Sequence, residues 1–442
     1  MLSIAPLIAA ASSPVTWDDV LSPHIYVFYA AFLVTFAFTP VMRSIATYYG
    51  VVDLPDQIRK LHAAPVAYLG GVAVYLGWVA GLAMSQLHIP ADEIGSPFLR
   101  VKISIVIGAT AIIILGLWDD LRRIRPSLKV YGQIAAALLL LTQGVGITCM
   151  APIIAPLNLR LTNALGPAVH IPAAATPILS SIAVVCMVVG CCNATNLLDG
   201  LDGLCGGVTA VISAGFLFLA VHLATQSTQT DLNPLRIVLA LALLGAVLGF
   251  VPYNFNPASI FMGDAGSMFL GFSCATVIVL LAQEQSKWFL AAMVMFALPV
   301  LDTALAFMRR WVNRRPLFSA DRHHFHHQLV DRGFSIRKTV LISYGLAIGF
   351  CILGALIVYM RTRYAVAFYL VIFGSIIVAA YKMGMVHEKP HIVSSRPLGA
   401  TDAATASSPE PSERANVLEL REPNQPVRGP TVRMGGESTR AT

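Results

Sequence analysis

Eleven apolar runs, each near the length that crosses a bilayer, recur along this 442-residue chain: 24–48, 66–88, 101–118, 128–149, 174–192, 203–224, 235–252, 263–283, 287–309, 338–360 and 364–386. No other feature limits the fold as tightly. In lipid the backbone N–H and C=O groups find no water, so they must be satisfied within helices. The expected fold class is therefore an all-α polytopic membrane protein, a bundle of about eleven transmembrane helices. A hydrophobic share of 56% against 12% charged residues agrees with this, as does a mean hydropathy of +0.71.

The net charge of +7 would suit nucleic acid, but the cations gather in short loops between runs, which is how a membrane protein orients itself. The lipid bilayer is the expected partner and nucleic acid is not. Connections after odd-numbered runs hold Arg59, Lys60, Arg122, Arg123, Arg125, Lys129 and a dense set from Arg309 to Lys338. Those after even-numbered runs hold few, chiefly Arg100, Arg160, Arg361 and Arg363. The odd-numbered loops are thus expected in the cytoplasm, with the N-terminus outside and the C-terminus inside. Residues 1–23 read as an outside (periplasmic) tail and 24–387 as the membrane domain. Residues 388–442, rich in Ser, Pro, Glu, Arg and Thr, read as a disordered cytoplasmic tail. Alternation in Leu157–Leu161 and 169–171 around Gly166-Pro167 predicts a small outside β-hairpin. Seven cysteines lie mostly in apolar runs without metal-ligand spacing and read as packing residues.

Polar motifs interrupt this apolar chain at the expected cytoplasmic ends, where acids and amides are costly to keep without a function. Asn193, Asn196, Asp199 and Asp202 in NATNLLDGLDGL follow three-residue spacing, which on a helical end puts all four on one face. Asp119-Asp120 ends the third run; two adjacent carboxylates repel, and a divalent cation would relieve them. Lys129 and Gln133 follow one turn apart. The first loop carries Asp53, Asp56, Arg59, Lys60 and His62 ahead of Gly70-Gly71, cations that can hold a phosphate or simply anchor the loop. PYNFNP, with Asn254, leads into FMGDAGS, where Asp264 sits at a helix start that favours an anion. Asp302, inside the ninth run beyond Pro299, needs a cation such as Arg309 or a polar cavity. Asp321-Arg322-His323-His324-Phe325-His326-His327 lacks a HExxH or cysteine partner set, so a phosphate or sugar suits it better than zinc. A secondary transporter, the rival class, would place its polar groups near the bilayer midplane and show an inverted repeat.

Taken together, these blocks resemble the polyprenyl-phosphate N-acetylhexosamine 1-phosphate transferases, from about residue 40 to 340 and in the family's order, with NATNLLDGLDGL and FMGDAGS the most diagnostic. The resemblance implies Mg²⁺ (with Mn²⁺ as a substitute), a cytoplasmic UDP-sugar and undecaprenyl phosphate, and it admits a homodimer. It points to UDP-GlcNAc as donor, UMP as leaving group and the first membrane step of O-antigen or related glycan synthesis; the same reaction with another UDP-N-acetylhexosamine or with UDP-MurNAc-pentapeptide is the alternative. The peptidoglycan enzyme that uses UDP-MurNAc-pentapeptide usually has three adjacent histidines where this chain has HHFHH. Carried over residue by residue, the resemblance implies catalytic roles for Asp119, Asp120 and Asp199 and metal ligation by Asp264 with Asp120 or Asp199. Substrate contacts would come from Lys60, His62, Lys129, Asn193, Asn196, Asp202, Asn254, Arg322, His323, His324, His326 and His327. Two departures stand out: Arg123 replaces the third acid many relatives carry, and the first loop is one residue longer between Asp56 and Arg59. Direct attack by the lipid phosphate and a two-step route through a phosphorylated aspartate both fit the sequence.

Overall fold

The computed structural model describes residues 15–53, 65–87, 101–166, 168–226, 232–314 and 324–382. In chain order the helices are α1 (Trp17–Leu21), α2 (Ile25–Tyr48), α3 (Gly70–Leu87), α4 (Ile103–Arg122), α5 (Pro126–Thr142), α6 (Ala151–Leu165), α7 (Ala175–Leu198), α8 (Leu204–Gln226) and α9 (Leu232–Asn254). They continue as α10 (Gly263–Ala282), α11 (Ser286–Met295), α12 (Ala297–Val312), α13 (Phe325–Asp331), α14 (Ile336–Val358) and α15 (Thr362–Lys382). Nine spans among the described residues are long and apolar enough to cross a membrane. The 17-residue α5 and the bent pair α11–α12 account for the two remaining apolar runs. The protein is an all-α, multi-pass membrane protein.

The core is built around α10. Every residue of it except Asp264 is buried, as expected of a helix apolar on all sides, and it packs against α3, α4, α7 and α11. Its approach to α3 is backbone to backbone, because a Cβ on Gly71 would overlap the N and Cα of Gly266. At its far end Arg236 of α9, fully buried, donates to the Leu280 carbonyl from Nε (3.1 Å) and Nη2 (2.8 Å), and to Glu284 (2.8 Å). A guanidinium there satisfies the Leu280 carbonyl, one of those that the helix end leaves open.

Three expectations are corrected. The outside β-hairpin is instead α6: Ile154, Leu157, Leu161 and Leu165 also fit helical spacing, Pro152 starts the helix and Gly166, at φ 95°, ends it. The ninth run is not straight; α11 and α12 meet at Phe296 with a 74° bend. Pro299 has no N–H to give the Met295 carbonyl, so it fits the first turn of a new helix better than the middle of an old one. Lastly, α7 continues to Leu198, so Asn193 and Asn196 sit on its last turns, Asp199 is its C-cap and Asp202 lies in the following turn. The four residues do not share one helical face.

The only sheet among the described residues is the antiparallel pair β1 (Val52–Asp53) and β2 (Val66–Ala67). It docks on the segment before α10: Phe261 N donates to Ala67 O (2.8 Å) and Gly70 N to Phe261 O (3.0 Å). Lys60 and His62 fall between the strands, outside the described residues, as do Arg322, His323 and the tail 388–442.

Candidate active site

The ends of α4, α7 and α9 and the starts of α5, α8 and α10 meet at one face and bring the acidic motifs together. α10 starts at Gly263, whose φ of 74° suits glycine, and its first N–H groups point out of the helix. Asp120 takes them: Asp264 N donates to Oδ1 (2.8 Å) and Ala265 N to Oδ2 (3.1 Å). The anion favoured at this helix start is thus a carboxylate from α4. Asp119, one residue earlier, is buried, accepts Ile124 N on Oδ1 (2.8 Å) and pairs through Oδ2 with Lys129. Arg123, at the place of the missing third acid, caps α4 with φ 48°.

Lys129 is held by two acids at once. Its Nζ also lies 2.5 Å from Asp264 Oδ2, while Asp264 Oδ1 accepts Asn196 Nδ2 (2.8 Å). Asn196 further donates to Ser267 Oγ (3.0 Å). Asn193 sits one turn deeper, where its Nδ2 donates to Gln133 Oε1 and to the Val189 carbonyl, each at 2.8 Å. It orders the wall behind the site.

The turn after α7 completes the site. Asp202 Oδ2 accepts Asn256 Nδ2 (2.9 Å) and Ala258 N (3.1 Å); Asn254 Oδ1 accepts Gly203 N (3.1 Å) and its Nδ2 donates to Ile260 O (3.0 Å). Buried and bonded at both ends of its amide, Asn254 braces the Asp199–Asp202 turn against the PYNFNP loop. Tyr344 of α14 adds an unanticipated brace, donating to Gly203 O (2.5 Å). No motif in the sequence marks Tyr344.

A cavity of about 290 Å³ opens here, a size suited to part of a substrate, with Asp199, Asp202, Asp264, Asn254, Tyr68 and His327 on its wall. Asp199 is pushed up to about 8, first by burial and then by the carboxylates of Asp264, Asp120 and Asp202. Negative charge at this point exceeds what the described cations neutralise. Tyr68, missed by the sequence reading although it stands two residues before Gly70-Gly71, is raised above its ordinary range by burial and by Asp53. Its phenol stays protonated and remains a donor.

His324, His326 and His327 lie over the other side. Asp302 of α12 accepts Phe325 N (2.8 Å) and lies 3.1 Å from His324 Nδ1, so its polar surroundings come from the histidines. His326 is buried and pushed down to about 3 by desolvation, hence neutral. It packs on Gly200, where a Cβ would overlap its Nε2, and its ring centroid is 4.4 Å from that of His327. The structure therefore sets Asp199, Asp202, Asn254, Asp264 and His327 on one cavity wall, with Asp120, Lys129 and Asn196 bonded to Asp264, Asp119 paired with Lys129, and Asn193, His324 and His326 behind them. Among the described residues no three His, Cys, Asp or Glu side chains form a ready-made metal cage. An all-oxygen set that already seats an ammonium between Asp119 and Asp264 still fits Mg²⁺, which commonly takes one or two carboxylates and completes its shell with substrate phosphates.

Residues 102–282, which carry most of these groups, match the glycosyl transferase family 4 model. A probable undecaprenyl-phosphate N-acetylglucosaminyl 1-phosphate transferase of Bacillus subtilis is 31% identical over 377 residues, 84% of this chain and 95% of that protein. A decaprenyl-phosphate N-acetylglucosaminephosphotransferase of Mycobacterium tuberculosis is 32% identical over 339 residues, 74% of this chain and 80% of that one. A phospho-N-acetylmuramoyl-pentapeptide-transferase of Symbiobacterium thermophilum is 38% identical, over 176 residues only, 39% of this chain and 49% of that protein. Near-full-length similarity to the first, with the family's acidic blocks gathered at one cavity, means that the chain belongs to the polyprenyl-phosphate N-acetylhexosamine 1-phosphate transferases of glycosyl transferase family 4.

Proposed function

We propose that this protein transfers N-acetylglucosamine 1-phosphate from UDP-GlcNAc to undecaprenyl phosphate, at the cytoplasmic face of the bacterial inner membrane. The observation that carries the reading is the set of acids Asp199, Asp202 and Asp264 on one cavity wall at the membrane domain's polar face, with Lys129 held between Asp264 and the adjoining Asp119. Such a site suits two phosphates that must approach each other. The Bacillus and Mycobacterium relatives, matched over most of their length, are named for GlcNAc transfer to a polyprenyl phosphate, whereas the muramoyl-pentapeptide enzyme aligns over less than half of this chain.

In the reaction, an oxygen of the lipid phosphate bonds to the β-phosphorus of UDP-GlcNAc, and the bond from that phosphorus to the bridging oxygen breaks. UMP leaves with the electron pair, and undecaprenyl-diphospho-GlcNAc remains. Asp119, whose Oδ2 pairs with Lys129, would take the last proton of the lipid phosphate, whose second pKa lies near 6, once Lys129 turns to the incoming phosphates. Lys129 offsets the charge of the approaching anions and, released by Asp264, can bond a phosphate oxygen. Mg²⁺, held by Asp264 with Asp199, would supply the remaining positive charge along the diphosphate and on the leaving UMP. Both Asp120 oxygens bond the α10 N–H groups, so Asp120 orients Asp264 rather than facing substrate. His327 and Tyr68 on the cavity wall offer bonds to sugar and phosphate oxygens.

The test is a reaction of purified protein with UDP-GlcNAc, undecaprenyl phosphate and Mg²⁺. UMP and lipid-linked GlcNAc should appear in equal amounts, stop with EDTA and resume with added Mg²⁺. Lipid product from UDP-MurNAc-pentapeptide but not from UDP-GlcNAc would reverse the donor assignment, and unchanged turnover in EDTA would remove the metal.

A further inference from the structure

Asp302 has no part in the reaction just described, yet at 3% exposure it is the most deeply buried carboxylate among the described residues. A lone carboxylate there would be costly, so its partners indicate what it does. Oδ1 accepts the N–H of Phe325, the first residue of α13, a group that a helix start leaves open. Oδ2 lies 3.1 Å from His324 Nδ1 and 3.9 Å from His326 Nδ1. The rings of His324 and His326 are parallel, 5.7 Å between centroids and 7° between planes. His326 then rests on Gly200, beside Asp199, and His327 reaches the cavity wall. Among the described residues neither buried ring nitrogen of His326 has a hydrogen bond, so no bond of its own fixes that ring. What places it is the anchor on one side and the missing side chain at Gly200 on the other.

An ionised carboxylate only accepts, so Nδ1 of His324 carries the hydrogen between them. We propose that Asp302 is a positioning residue for the transfer: it seats α13 against the Asp199–Asp202 turn and fixes the His324 tautomer, which sets His327 at the donor side of the cavity. The proposal rests on the reading of that cavity as the UDP-GlcNAc site. Pro299 contributes indirectly, since the bend before it directs α12 so that Asp302 meets the histidine run.

Asp302→Asn separates the two duties. Its oxygen can still accept Phe325 N–H, but its NH₂ would face His324 Nδ1 and demand the opposite tautomer. The expected result is an unchanged melting temperature in detergent with kcat/KM for UDP-GlcNAc lowered about 10- to 100-fold, the range for a lost bond to a charged group. KM for undecaprenyl phosphate should hold. The double variant Asp302→Asn/His324→Ala should be no worse than His324→Ala, because both act through one ring. Gly200→Ala displaces His326 from the opposite side and should give the same donor-side defect; if Asp302→Asn does not accumulate, this variant alone decides. Wild-type kcat/KM in Asp302→Asn or in Gly200→Ala, or losses that multiply in the double variant, overturn the proposal. A wild-type enzyme that releases no UMP from UDP-GlcNAc overturns the functional reading first, and the proposal with it.

Discussion

Lys129 sets the charge balance of the cavity, because its ammonium is the one described cation held by both Asp119 and Asp264. Removing one partner of a part-buried ionic cluster commonly costs about 3–5 kcal/mol, since the charges left behind lose their compensation. Lys129→Met should lower turnover about 10- to 100-fold, the range for a lost bond to a charged group, and, by removing the ammonium that competes for Asp119 and Asp264, lower the Mg²⁺ concentration needed for half-maximal rate. Turnover within a few-fold of wild type would show that the lysine only fills space. Asp199 gives a prediction with a sign. Held at about 8 in the folded protein against about 4 in an unfolded chain, it keeps its proton more tightly when folded, so stability falls as pH rises through that window and levels off above it. Without divalent cation the melting temperature should drop between pH 6 and 8.5; Asp199→Asn should flatten the slope, and Mg²⁺ should restore more at pH 8.5 than at pH 6. Equal slopes in both proteins would show that other groups set the trend. The sequence makes these acids legible by their spacing and their cost in an apolar chain. It cannot show that Asp120 bonds α10 or that Lys129 reaches Asp264, because those pairings join residues 144 and 135 positions apart.

Helices supply the precision that brings such distant residues together, and glycine decides how closely they approach. Gly71→Ala would drive a methyl into the Gly266 backbone at the crossing of α3 and α10, where nothing can rotate away. Overpacking of that kind costs about 1–3 kcal/mol, and here it also displaces the start of α10 that carries Asp264. Gly71→Ala should lower both melting temperature and turnover. Gly190→Ala in α7 is the contrast: its Cβ would meet nothing within 4 Å, and relief of a helical glycine is worth about 0.5–1 kcal/mol. It should leave activity intact and raise the melting temperature slightly; a loss would mean that this exposed face is covered by something else. At this scale the positions of helices are legible from hydropathy, but their ends and bends are less so. The break at Phe296 lies between two equally apolar stretches, with only Pro299 as a signal, and LNLRL satisfies strand alternation and helical spacing at once. Packing, which no single stretch reveals, settled both.

Across the whole molecule, each of the eleven apolar runs has a helical counterpart, because burying a backbone in lipid leaves little choice of structure. The convergence of the motifs follows from an odd–even argument: blocks placed after odd-numbered runs, or before the next, must share one side of the membrane. The structure groups them at one end of the bundle, but which compartment that end faces is a matter of charge. Arg122, Arg123, Arg125 and Lys129 crowd the connection from α4 to α5, whereas the segment from α5 through α6 to α7 carries Arg160 alone. Positive charge is retained on the cytoplasmic side, which is also where a nucleotide-sugar is available. Ser127, exposed at the start of α5, and Asn163, exposed on α6, therefore report opposite compartments. On a background with the exposed Cys186 changed to Ser, Asn163→Cys in intact cells should react with a membrane-impermeant maleimide. Ser127→Cys should react only after the cells are opened. Protection at Asn163 together with labelling at Ser127 would turn the molecule over and place its acidic cavity outside, where UDP-GlcNAc transfer could not proceed.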